Sequence, residues 1–165
     1  MSLYYLHPNG EIVTETSGRQ DQYRVGTLRS YYYPYRYMAI KDQNGRFAEI
    51  ARRIPGMFPL SQLVRDLGYF MEDASLAMEL PPSLDLPESY EKVFEHSALV
   101  RLRRGNRDAS ILAKNPTLFT LQKGNAALQG LRFASAFFGK GQFVGEELIH
   151  QEGSYVLKQS LKGPY

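Results

Sequence analysis

The most polar run of potential ligand groups in the sequence is Ser17-Gly-Arg19-Gln20-Asp21-Gln-Tyr23. A guanidinium such as Arg19 can grip a carboxylate or sulfate through two parallel hydrogen bonds. Gln20 and Asp21 can hydrogen-bond hydroxyls, and Tyr23 would serve as acid or base if nearby cations lowered its pKa. The same residues also suit a local role, with Asp21 or Ser17 capping a turn and Arg19 paired to it. Both readings stand at this level. A second set follows at residues 30–37, SYYYPYRY, with five tyrosines in eight positions. At helical spacing Tyr32 and Arg36 share one face, flanked by Tyr31 and Tyr35. A ring beside a guanidinium can stack on a sugar while the arginine binds its acidic group. The bland alternative is a helix packed among others, with tyrosine hydroxyls reaching its rim. Tyr33 and Tyr37 recur with Ile40 and are expected in the core.

The other chemistry-bearing residues form weaker patterns. His7, His96 and His150 lack a second histidine or paired acid at ligand spacing, so they read as ordinary strand or surface histidines and no metal site is expected. Arg101 and Arg103 alternate with Val100 and Leu102, with Arg104 at the end, which gives a strand one basic and one apolar face. Such a face is more often a solvated face or an interdomain ion-pair surface than a polyanion site. There is no phosphate loop and no nucleophile elbow, and nothing calls for a cofactor.

These residues must be positioned by three zones. The first opens on a hairpin signal, YYLH and EIVTE about Pro8-Asn9-Gly10. The second, residues 30–80, is helical in pattern. One helix starts near Tyr33, because Pro34 is tolerated only in a first turn. Another holds Phe47, Ile50, Ala51 and Ile54 and stops at Pro55-Gly56. A third carries Leu60, Leu63, Val64, Leu67, Met71, Ala74 and Met78 at a period near 3.6. Three prolines in MELPPSLDLPES then suggest a stiff connector over 81–89. From residue 90 the period falls to two, and turn signals recur at Gly105-Asn106, Asn115-Pro116, Gly124-Asn125, Gly139 with Gly141, and Gly153.

Composition narrows the classes. The chain has 165 residues, 43% hydrophobic and 22% charged, which is a globular balance. A net charge of +3, with only one compact arginine cluster, does not argue for nucleic acid. The absence of cysteine removes disulfides, thiolate ligands and a cysteine nucleophile. No apolar run is long enough to span a bilayer. The strand-like start and the end at LKQSLKGPY suggest an excised piece of a longer protein.

The order of features is itself informative. A hairpin leads to S-x-R-Q-D and a tyrosine-rich helix, and a proline connector leads to SALVRLRRGN, NPTLFTLQKG and FFGKGQF. This resembles heparinase II/III-like proteins and related polysaccharide lyases, at the junction where a helical toroid gives way to a β-sandwich. The resemblance implies a larger periplasmic or secreted enzyme that cleaves acidic polysaccharides by β-elimination, with this chain inactive alone. The histidine and asparagine of the family's catalytic set map onto no position here, and no catalytic role carries over. The expectation is therefore an α+β chain. Residues 1–80 would form a hairpin and helical segment, 81–89 a connector, and 90–165 an antiparallel β-sandwich segment left open at Tyr165. Its expected partners are an acidic polysaccharide or oligosaccharide, met by Arg19, Gln20, Asp21, Tyr23, Tyr32, Tyr35 and Arg36, and the rest of a longer chain or a second copy. Two rivals are a non-catalytic carbohydrate-binding module using Tyr32, Tyr35 and Arg36, and a structural or interaction domain.

Overall fold

The computed structural model describes residues 3–17, 26–135 and 141–160. It is α+β, and the chain divides into two units. One comprises Met1–Leu6, Gly10–Ile12 and Gly26–Pro87, the other His7–Asn9, Val13–Val25 and Glu88–Tyr165. The division after Pro87 lies inside the predicted connector. Two short N-terminal stretches nonetheless group with the β residues, which no local pattern announces.

In the helical unit a 3-10 turn, Leu28–Tyr31, runs into α1 (Tyr32–Lys41). Pro34 sits in the first turn of α1, where its missing N–H would have had no intrahelical acceptor. α2 (Gly45–Met57) is capped by Asn44, whose Oδ1 accepts from the amides of Arg46 (3.0 Å) and Phe47 (3.3 Å). It continues two residues past Pro55 rather than stopping there, because in a last turn the proline has few bonds left to break. The expected third helix is broken instead into α3 (Leu60–Leu63), a 3-10 turn (Val64–Asp66), α4 (Leu67–Glu72) and a second 3-10 turn (Ala74–Ala77). Gly68 weakens the segment, and Asp73 caps the last turn by accepting from Ser75 N at 3.0 Å. Leu63 and Leu76 are buried, whereas Leu60, Val64, Leu67 and Met71 of the same stripe are exposed.

The core of this unit is Leu6, Leu28, Tyr35, Ile50, Ala51, Ile54 and Leu63. At the N-terminus the expected hairpin shrinks to a 3-10 turn, Leu3–Tyr5, and single antiparallel bridges joining Ile12 to Leu6 and to Gly26. The proline-rich stretch is no free linker. Leu84 N donates to Gly45 O (3.1 Å), and Arg52 reaches the carbonyls of Leu80 and Pro81 and the Ser83 hydroxyl. Leu80 and Leu86 pack on the core.

The β unit is built on an antiparallel meander of β1 (Ser89–Phe94), β2 (Leu99–Arg104), β3 (Arg107–Leu112), β4 (Phe119–Lys123) and β5 (Ala126–Leu131), in that order. Gly105 (φ 59°) and Gly124 (φ 56°) supply the left-handed residues of its two tight turns. Two ribbons follow, β6 (Ala134–Ser135) with β7 (Gly141–Gln142), and β8 (Glu147–Gln151) with β9 (Ser154–Lys158). The described strands thus make one five-stranded sheet and two two-stranded ribbons, and a second full sheet of a sandwich is not among them.

The register separates the two faces of the meander. One carries Glu91, Leu102, Ala109, Leu121 and Leu128 in one row and Val93, Val100, Ile111, Phe119 and Leu131 in the next. The other carries Arg101, Ser110 and Thr120, with Tyr90, Arg103, Asp108 and Gln122 on one side of them and Phe94, Leu99 and Leu112 on the other. The polar face is the one sealed from solvent at its centre: Arg101 is 0% exposed and Asp108 1%. The apolar face is partly open, with Val93, Leu128 and Leu131 exposed. Burial is thus shared by the two faces, since Leu99 and Leu112 on the polar face and Val100 and Ala109 on the apolar one are buried as well.

Candidate functional site

The sealed polar face holds the densest set of ionisable groups in the described structure. Arg101 donates to Asp108 Oδ2 (2.5 Å) and to Ser110 Oγ (2.7 Å). Arg103 Nε lies 3.2 Å from Asp108 Oδ1, and its guanidinium sits over the Tyr90 ring at 5.4 Å. The N-terminal arm closes the cluster from above. His7 Nδ1 is 2.7 Å from Asp108 Oδ2, and its Nε2 is 3.3 Å from Glu15 Oε1. That Glu15 oxygen also accepts from Ser110 Oγ and Thr120 Oγ1, each at 3.0 Å. Buried Asn115 holds the arm's backbone through the carbonyls of Glu15 (3.2 Å) and Ser17 (3.4 Å).

With a carboxylate oxygen facing each ring nitrogen, His7 satisfies both only as an imidazolium, since a neutral ring has one N–H. Burial opposes its charge, but the hydrogen bonds to Asp108 and Glu15 outweigh burial and raise its pKa. Burial likewise works against the Glu15 carboxylate. Its bond to His7, the His7 charge and Thr120 win, and hold the pKa down at about 2. Asp108 is also lowered: burial is outweighed by its bond to His7 and by Arg101. Three cations (His7, Arg101 and Arg103) therefore face two carboxylates. The arrangement is a closed ion network, because both positions from which His7 would take or give a proton are committed.

A second, exposed cluster lies on the β unit. The Tyr155 hydroxyl donates to Glu91 Oε1, the His150 ring stacks on Tyr155 at 4.6 Å and 9°, and Arg104 reaches Glu91 Oε2 at 3.3 Å. Burial, then the bond to Glu91, pushes the Tyr155 phenol up to about 12, so it stays protonated near neutrality and is no base. Tyr155 also borders an apolar cleft of about 440 Å³, whose lining includes Ile111, Phe119, Leu131, Phe143 and Leu157.

The residues singled out from the sequence fare differently. Arg19, Gln20, Asp21 and Tyr23 lie outside the described residues. Tyr35 is a correction: it is 1% exposed and belongs to the helical core, where burial raises its phenol pKa, so it is closed to a ligand. Tyr37, expected in the core, is 43% exposed, and Tyr33 stacks on Tyr69 at 4.3 Å. The inward face of α1 is centred on Tyr35 and Ala39, with Ile40 at its edge, so Tyr35, not Tyr37, accompanies Ile40 inward. Tyr32 and Arg36 do share a face, with the guanidinium 5.9 Å from the ring centroid. Arg36, however, donates to the carbonyls of Leu76 (2.8 Å) and Met78 (2.7 Å), so it ties α1 to the following segment.

The basic strand face is sealed rather than solvated, and its ion pairs lie within the β unit rather than between domains. Among the described residues no group of three or more histidines and acids could hold a metal, and no helix is long and apolar enough to cross a membrane. The ion network itself went unread in the sequence. One signal was available: counting outward from the Gly105-Asn106 turn sets Arg103 opposite Asp108 and Arg101 opposite Ser110. His7 and Glu15, about a hundred residues away in the chain, gave none. Comparisons with protein-family models, curated proteins and solved structures return no match.

Proposed function

We propose that this chain is a non-catalytic structural module of a carbohydrate-active protein, related in organisation to the helix-to-sheet junction of polysaccharide lyases. The observation that carries the reading is the commitment of both His7 nitrogens to carboxylates, which leaves the densest acid–base cluster closed to a substrate. What the cluster does well is mechanical: it fixes the arm through Glu15 and His7 onto the meander. The candidate sugar platform is similarly occupied, since Tyr35 is buried and Arg36 is bonded to backbone. The test is incubation with a panel of acidic polysaccharides, following ultraviolet absorbance of unsaturated products. No product is expected, and a catalytic rate of product formation would overturn the reading.

The enzyme reading rests on the sequence alone, on S-x-R-Q-D ahead of the tyrosine-rich helix. It makes the opposite prediction in the same assay: elimination products that disappear with Tyr23→Phe. Glycan binding without cleavage, lost with Arg36→Ala, would favour a carbohydrate-binding module instead.

A further inference from the structure

The β8–β9 ribbon leans on the apolar face of the meander. Its register sets Leu148 opposite Leu157 and His150 opposite Tyr155, so these four share one face of the ribbon. Tyr155 and Leu157 border the cleft together with Ile111, Phe119 and Leu131 of the meander's apolar face. Tyr155 also donates to Glu91, which stands on that same face. The two ends of the ribbon are held differently. At its base the bonds are between backbone groups: Gly145 O accepts from Lys114 N at 2.8 Å, and Phe143 N donates to Phe133 O at 2.9 Å. Toward its tip, beside the Glu152-Gly153 turn, the Glu91 carboxylate takes the Tyr155 hydroxyl and faces His150 Nε2 at 3.3 Å. No residue of β8 or β9 falls in the buried class. A two-stranded hairpin is marginal by itself, and a segment with few buried contacts opens well before the whole domain does.

We propose that the β8–β9 ribbon is a lid over the apolar cleft, anchored at Gly145 and latched by Tyr155 to the Glu91 carboxylate, and that protonation of Glu91 releases it. The groups facing Glu91 are Tyr155 from β9, His150 from β8 and Arg104 from β2. Ionised, the carboxylate accepts from the phenol and balances the guanidinium. Protonated, it loses its charge while Arg104 keeps its own. Exposed imidazoles are cationic at that acidity, so His150 and Arg104 are left as two cations about a neutral group. The Tyr155 bond, with the His150 and Arg104 charges, holds the Glu91 pKa below its ordinary 4.5. The latch is therefore complete above about 4.5 and fails as pH falls through the lower folded value. Among the described residues the cleft lining carries no charged side chain, so release uncovers a surface for uncharged apolar molecules. The lid stands independently of whether the chain is catalytic.

The experiment follows hydrogen exchange in the full chain from about pH 6 to about pH 3, corrected for intrinsic rates. Emission of the uncharged dye N-phenyl-1-naphthylamine is read on the same samples. At the higher pH, β8 and β9 amides should exchange through one shared opening, faster than those of β2 and β3. On acidification that opening should rise at least about tenfold relative to β2 and β3, and dye emission should rise with it. Tyr155→Phe keeps the ring beside His150 and the cleft but loses the hydroxyl, and should raise the opening near pH 6 several-fold. Glu91→Gln should raise it there too, and flatten the acid rise. Exchange of β8 and β9 only in step with β2 and β3, or an opening indifferent to pH, would overturn the proposal. So would an acid rise undiminished in Glu91→Gln, a Tyr155→Phe chain that opens no more readily, or opening without dye uptake.

Discussion

Replacing Asp108 by asparagine probes the ion network with the least change of shape. Asp108 takes bonds from Arg101, His7 and Arg103, and both Arg101 and the Asp108 side chain are fully enclosed. The amide keeps the volume but removes the negative charge. A fully enclosed guanidinium and the His7 imidazolium are then left with Glu15 as the remaining carboxylate of the cluster. Removing one partner of a buried pair costs about 3–5 kcal/mol, because the remaining charge stays desolvated. That is a large part of the roughly 5–15 kcal/mol by which a domain is stable. Denaturant unfolding should be followed in the β unit specifically, by exchange of β2 and β3 amides, since two units need not unfold together. Glu91→Gln, in the exposed cluster, is the control and should cost under about 1 kcal/mol. Adding Arg101→Met to Asp108→Leu should cost less than the two single changes summed, since the charge and its partner leave together. If Asp108→Asn destabilises the β unit by no more than the Glu91→Gln control, the network is not the fastening described above.

The same cluster sets a pH profile. The His7 pKa is raised on folding, so its contribution is fully present below its ordinary value of 6.5 and fades as pH rises through the folded value. Glu15 runs the other way: its contribution is complete above about 4.5 and disappears as pH falls toward about 2. Thermal melts across pH should therefore show a maximum in the weakly acidic range, and in His7→Gln the alkaline decline should flatten. Gly45→Ala should loosen the proline-rich stretch, since a Cβ there would lie 2.4 Å from Pro82 O and 2.7 Å from Leu84 Cγ; overpacking of this kind costs about 1–3 kcal/mol. Arg52→Ala removes three bonds to residues 80–83, and limited proteolysis should then cut faster between Leu80 and Pro87, with the β unit's melting unchanged.

What the sequence revealed follows the range of the forces involved. The change of period near residue 90 and the tight turns at Gly105-Asn106 and Gly124-Asn125 are local, and they were legible. The inward tyrosine was misread because the buried face of α1 is centred on Tyr35 and Ala39, with Ile40 at its edge, so counting back from Ile40 to Tyr37 and Tyr33 picked the wrong row. The apolar stripe of residues 60–78 has the right spacing for one helix. A 3-10 turn at Val64–Asp66 and the Asp73 cap nevertheless divide it, and several of its members stay exposed. The site was hidden for another reason. Alternation in β2 separates a basic from an apolar face but cannot say which is covered. The cover comes from His7 and Glu15, and partners so distant in the chain leave no trace in a local window.

The enclosed ion network has a calorimetric consequence. Exposing apolar surface raises the heat capacity of unfolding, whereas exposing polar surface lowers it. Beside its buried Leu99, Val100 and Leu112, the β unit encloses the Arg101 guanidinium, the Asp108 carboxylate and the Ser110 hydroxyl, and it leaves Val93, Leu128 and Leu131 exposed. Its heat-capacity increment per residue should fall below the usual value of about 12–15 cal/mol/K, and its stability should vary more gently with temperature. The dehydration of its charges also becomes less costly on warming. A sheet folded with its charges inward is thereby suited to keep its N-terminal arm in place across a wide thermal range.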